Sequence, residues 1–226
     1  MTASSMIVER DRAIFLSDTA ILDYDHTVAE FMSKVVPAPR LGIVIAWTGC
    51  MCEGGSATIR NWLRTFDKQI EAVAEIPGLA WAVRHKNIEA IANEGSDEDP
   101  NITFQIAVHV RQERRFEGWI VSTDGKGLHP SYEPGTYVQV HECIRPGIGH
   151  PVAHPFDVQR DGRMILERQR ALVSPGGYYF VGGAGEATIF DRKGVRRLTL
   201  CRWNDEVGKR IEAGRDPMSK CAPVHV

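Results

Sequence analysis

Thr2 follows the initiator Met, Asp18 lies sixteen residues after Thr2, and Lys34 sixteen after Asp18. The three sit in distinct surroundings: Met6-Ile7-Val8, then Arg12-Ala13-Ile14-Phe15-Leu16-Ser17-Asp18-Thr19, then Ser33-Lys34-Val35-Val36. An apolar run from Leu41 to Trp47 follows and ends in Thr48-Gly49. A hydroxyl on the first residue of a chain can be activated by the chain's own α-amine, with a neighbouring Lys and a buried acid tuning it. Once Met1 is removed, the Thr2 amine has an ordinary pKa of about 7.7–8.0 and can accept the hydroxyl proton near neutral pH. A retained Met1 blocks that amine as an amide. No longer pro-segment is expected ahead of Thr2.

This register closely resembles the proteasome β-subunit family, including the bacterial two-ring proteasome-like peptidases. Thr2, Asp18 and Lys34 fall on that family's nucleophile, acid and lysine without a gap. The family's oxyanion Gly falls one residue before Gly49, so Thr48 or Gly49 would fill that role, which is typically worth about 3–4 kcal/mol in the transition state. By the same resemblance, Lys34 would favour the developing alkoxide, Asp18 would pair with Lys34, and peptide bonds would be cut through an acyl ester on Thr2. Ile21, Met32, Val36 and Trp47 would line a pocket for an apolar side chain before the cut. The likeness is strongest over residues 2–66 and weaker over 103–128 and 181–197. It implies an α+β fold, a four-layer α/β/β/α sandwich with two antiparallel sheets. It also implies self-association into a ring or stacked oligomer, with an ATP-dependent unfoldase as a further partner.

The chain departs from the family at a late strand. Tyr178 and Val181 stand where the family has an Asp and a Ser before Gly182-Gly183. Tyr is no carboxylate, and Val has no hydroxyl for the free N-terminus. The family's Gly-Ser-Gly aligns with Gly149-His150-Pro151, so His150 would replace the Ser as a partner of the α-amine. These departures keep two other readings open: a non-catalytic assembly or binding subunit of the same fold, and an N-terminal-nucleophile amidase acting on a small molecule. Each residue also has an ordinary reading alone. Thr after Met is common, Asp18 could close a strand, and Lys34 could be a surface charge.

The bulk numbers narrow the field. A chain of 226 residues with 43% apolar and 25% charged residues is an ordinary globule, here one domain over 1–213 with a tail at 214–226. A net charge of −2 gives no pull toward nucleic acid or anionic membrane. No apolar stretch approaches the roughly 20 residues that span a bilayer. Acidic residues among the first 30 argue against a targeting peptide. Five cysteines without a C-x-x-C pair favour a reducing compartment, hence the cytoplasm. No cofactor is expected. His141, His150 and His154 share a Pro-broken loop that suits no metal. Gly182-Gly183-Ala184-Gly185 lacks the Lys-Ser/Thr of a phosphate loop. Arg111, Arg114 and Arg115 read as a solvated hairpin tip, and the tryptophans as core or subunit contacts.

Periodicity supplies the elements that must position the triad. Strands are expected over 6–9, 13–20, 28–36 and 41–47, with the third broken by Pro37-Ala38-Pro39. A helix capped by Ser56 carries an apolar stripe of Ile59, Leu63, Phe66, Ile70 and Val73 and ends at Pro77-Gly78. A second helix covers 79–93. A hairpin over 103–110 and 116–122, a strand over 136–143, a helix over 156–171 weakened at Gly162, strands around 178–201 and a short helix after Trp203 complete the order. That order alone also allows other α+β folds.

Overall fold

The computed structural model describes residues 3–51, 54–124, 132–148, 152 and 154–212. Twelve strands and three α-helices follow one another among them. In chain order they are β1 (Ser4–Val8), β2 (Arg12–Asp18), β3 (Ala20–Leu22), β4 (Val28–Phe31), β5 (Val35–Ala38), β6 (Ile43–Gly49), α1 (Gly55–Leu63), α2 (Gln69–Glu94), β7 (Ile102–Val110), β8 (Arg115–Ser122), β9 (Val138–Val140), β10 (Glu142–Arg145), α3 (Arg163–Arg170), β11 (Ala184–Asp191) and β12 (Gly194–Arg202). A wide π-helical turn, Val158–Gly162, runs directly into α3. The class is α+β with antiparallel sheets. One five-stranded sheet has the order β10-β1-β2-β11-β12, the other β5-β6-β7-β8-β9, and β3-β4 is a separate hairpin.

Strict alternation sorts the strand residues. Met6, Val8, Ala13 and Phe15 of the first sheet share one buried cluster with Val35, Val44, Ala46, Ala107 and Phe116 of the second. Ile7, Ile14 and Leu16, at the intervening positions, pack with Ile165 and Leu166 of α3. Ile43, Ile45 and Trp47 likewise pack with Ile59 of α1 and Ile76 of α2. β1 is therefore buried at every position, as a strand covered on both faces must be. Each large apolar side chain so buried contributes about 1.5–3 kcal/mol.

Several elements differ from expectation, each for a local reason. The break between helices falls at 64–68 rather than at Pro77. Arg40 donates to the carbonyls of Leu63 and Arg64, satisfying acceptors that the end of α1 leaves open. α2 runs through Pro77 because Ala72, Ile76, Leu79, Ala80, Val83, Asn87 and Ile91 form one buried stripe on both sides of it. Pro77 has no N–H for the Val73 carbonyl, and the Tyr137 hydroxyl donates to that carbonyl instead. The expected stripe fails at Ile70, which is 75% exposed, while Phe66 and Val73 pack on the core cluster. Ser56 does not cap α1; its hydroxyl donates to the Ser33 carbonyl.

The expected strand over 28–36 is two strands. β4 stays in its hairpin, and β5 joins the second sheet, with Pro37 tolerated because β5 is an edge strand. The expected strand over 136–143 is also two, β9 in one sheet and β10 in the other, with the crossing at His141. No helix follows Trp203 up to residue 212. That segment turns at Gly208, exchanges backbone hydrogen bonds with Val28, and buries Ile211 against Ala20 and Val28.

Candidate active site

β2 ends at Asp18, whose side chain is fully buried. The chain then forms the β3–β4 hairpin and crosses between the sheets through Met32-Ser33-Lys34 before β5 begins. That crossing lets a residue leading into the second sheet reach the end of a strand in the first. Lys34 Nζ lies 2.7 Å from Asp18 Oδ1, and Lys34 is 1% exposed. Burial holds the Lys34 ammonium below the ordinary lysine pKa, and the Asp18 carboxylate acts against that lowering.

Asp18 is held from two further directions. The Ala3 N–H donates to Oδ1 at 3.0 Å, and the Gly182 N–H donates to Oδ2 at 3.1 Å. Ala3, the first described residue, is thus tied to the same carboxylate that pairs with Lys34. Amide side chains fix β1 on both faces. On the side of the second sheet, the Ser4 hydroxyl donates to Gln105 Oε1 and Gln105 Nε2 donates to the Ser4 carbonyl. On the side of α3, Gln169 Nε2 donates to the Ser5 hydroxyl. Thr2 and His150 lie outside the described residues.

Gly49 closes β6 with φ of +105°, a backbone that residues with a side chain rarely adopt. A Cβ there would come within 2.3 Å of the Asn101 carbonyl oxygen, so the adjacent backbone at Asn101 requires glycine at this position. The turn after it is tied down from α2. Buried Asn87 donates to the carbonyls of Cys50 and Pro100, and the Cys50 N–H donates to Asn101.

The four expected pocket residues divide. Val36 and Trp47 are core members, 0% and 3% exposed, with the Trp47 indole donating to the Ser56 hydroxyl. Ile21 and Met32 are partly exposed and pack on the edge of the same cluster. Val181 is wholly buried among apolar side chains. Tyr178 stacks on His26 with ring centres 3.6 Å apart. A surface recess lined by Glu9, Asp11, Arg12, Pro155, Asp191 and Arg196 lies at the other end of β2 and holds none of the expected site residues.

Sequence reasoning missed Gln105, Gln169, Asn87, Arg170 and Asp205. Gln105 interrupts an apolar strand run, and Asn87 and Gln169 occupy the buried stripes of their helices, so a polar residue at a core position was a usable signal. Arg170 and Asp205 carried none, because only the fold brings them together. A scan against models of known protein families finds no match to this chain, and a search of curated proteins finds no matching relative.

Proposed function

We propose that this chain is a proteasome-like threonine peptidase, folded as a four-layer α/β/β/α sandwich of the N-terminal-nucleophile type and assembled from several copies. The observation that carries the reading is the triple hold on one buried carboxylate: Lys34, the amide that follows Thr2, and the Gly182 amide all converge on Asp18. A buried lysine–aspartate pair gains little stability over an apolar pair of the same volume, so its place beside the chain start favours a chemical role.

In the proposed reaction, Met1 is removed and the Thr2 hydroxyl attacks the scissile carbonyl carbon. The hydroxyl proton passes to the α-amine, and the Lys34 ammonium favours the alkoxide. The carbonyl oxygen, now an oxyanion, takes the N–H at Gly49. Collapse breaks the C–N bond, the leaving amine takes the proton, and Thr2 retains the acyl group as an ester. Water then attacks the ester carbonyl carbon and gives a proton to the α-amine, the C–O bond to Thr2 breaks, the acyl group leaves as a carboxylic acid, and the Thr2 oxygen takes that proton back as its hydroxyl. Ile21 and Met32, the two partly exposed members of the expected pocket, would meet an apolar side chain before the cut.

Self-association is argued from α2. Ile70, Trp81 and Ile88 are exposed, and spacings of 11 and 7 residues put all three on one outward line of the helix. A second copy of the chain would cover that line. The cytoplasm is the proposed location, and an ATP-driven unfoldase is the proposed supplier of unfolded peptide.

Val181 favours a second reading, a non-catalytic subunit. A buried apolar residue stands where the resembled family offers a hydroxyl to the N-terminus. One experiment separates the two. Intact mass shows whether Met1 is removed, and a peptide epoxyketone or β-lactone is then mapped on the Met-free protein. Adduct at Thr2, absent in Thr2→Ala and strongly reduced in Lys34→Ala, is expected for the peptidase. Lys34→Ala removes the cation from beside a buried carboxylate at a cost of about 3–5 kcal/mol, so its folding is verified alongside. Met-free wild-type protein that takes no label would leave the non-catalytic reading.

A further inference from the structure

Resting on the peptidase reading, we infer that Arg170 and Asp205 are positioning residues for the Asp18–Lys34 pair, acting through the backbone of Val181, Gly182 and Gly183. The two form a forked ion pair, Nη1 to Oδ2 and Nη2 to Oδ1, both at 2.9 Å, with side chains almost fully buried. Arg170 ends α3, and Asp205 lies just beyond β12. The guanidinium also rests over the Trp203 ring at 4.7 Å.

Three consecutive backbone groups alternate between this pair and the site. Arg170 Nη1 donates to the Val181 carbonyl at 2.7 Å. The Gly182 N–H goes the other way, to Asp18 Oδ2. The Gly183 N–H donates to Asp205 Oδ2 at 2.7 Å. Gly182 thus hangs between two anchors of the ion pair and delivers its N–H to the site carboxylate. Its carbonyl accepts from Thr19 and Ala20, which fixes the turn directly after Asp18.

The segment leading into β11 leaves no room for side chains at either glycine. A Cβ at Gly182 would come within 2.7 Å of Asp205 Oδ2, and one at Gly183, where φ is +77°, within 2.5 Å of Thr19 Oγ1. A buried forked pair is worth little as bulk stability but holds geometry sharply. Residue 181 has no hydroxyl to act on the site directly, so the support comes through main chain instead.

The test uses the full Met-free chain, wild type, Asp205→Asn and Arg170→Lys. Two quantities are read: the rate of epoxyketone labelling at Thr2 per folded molecule, and the titration of Lys34 followed by NMR of the lysine side chains. Both variants are expected to slow labelling on the order of tenfold, since small misplacements of catalytic groups cost at least that much. Both are expected to move the Lys34 titration to lower pH, because a displaced Asp18 opposes the effect of burial less. Arg170→Lys keeps the charges balanced while giving up the fork and the planar stack on Trp203, so it decides the matter if Asp205→Asn does not fold. A folded variant with lower melting temperature but wild-type labelling and an unmoved Lys34 titration would overturn the inference and leave the peptidase reading intact. Wild-type protein that takes no label, with a Lys34 titration that still moves in the variants, would sink the peptidase reading and keep the positioning pair.

Discussion

Lys34 sets the behaviour of this protein at the scale of single residues. Its ammonium is buried against one carboxylate, and burial keeps its pKa below the 10.5 of a free lysine. The charged form is the one the proposed chemistry needs. Labelling at Thr2 should therefore fall on the alkaline side as pH rises through the folded-state value, before free lysines titrate. Asp18→Asn removes the group that opposes the lowering, so the alkaline fall should move to still lower pH. Stability runs the other way. Between the folded value and 10.5 the unfolded chain binds more protons, so the contribution of Lys34 to stability rises with pH across that window. Parallel pH profiles of labelling rate and melting temperature check this. A labelling rate that falls only together with melting would refute the assignment. The pairing of Asp18 with Lys34 was legible, through the resemblance of their spacing to a known family's register. The Gln105, Gln169 and Gly182 contacts were not, since their partners lie 101, 164 and 164 residues away in sequence.

Among the elements, α2 shows where local signals lose to packing. Pro77-Gly78 reads as a helix end, yet the buried stripe on both sides outweighs the roughly 3 kcal/mol that an interior proline costs. The tertiary structure also supplies the missing donor, the Tyr137 hydroxyl on the Val73 carbonyl, and burial pushes the Tyr137 pKa up. Tyr137→Phe should cost about 1–3 kcal/mol by leaving that carbonyl without its side-chain donor. In a Pro77→Ala background the helix has its own N–H at residue 77, and the same substitution should cost much less. A double-mutant cycle by denaturant unfolding measures the difference, and equal costs in both backgrounds would contradict the account. The crossings at Met32-Ser33-Lys34 and at His141 were likewise hidden. Each apolar run continues past the residue at which the chain changes sheets, so periodicity reads one strand where there are two.

For the whole molecule, the two sheets share one apolar cluster and are bridged by the Gln105–Ser4 amide contact. The proposed assembly rests on the outward line of Ile70, Trp81 and Ile88. Analytical ultracentrifugation should find the wild-type chain in a closed multimer at micromolar concentration. Ile70→Glu with Ile88→Glu should release smaller species while leaving the fold, read by circular dichroism, unchanged. A wild-type chain that sediments as a single copy at every concentration would remove the ring from the proposal.

By itself the sequence determined the α+β class and most strand positions. These follow from periodicity and spacing, which are local properties. Only the tertiary structure decided that the chain passes by way of Lys34 into the second sheet, that the Ala3 amide meets the carboxylate paired with Lys34, and that an Arg–Asp pair 35 residues apart stands behind Gly182. Buried charges are tolerated only where several partners converge, and convergence from distant parts of a chain is a property of packing.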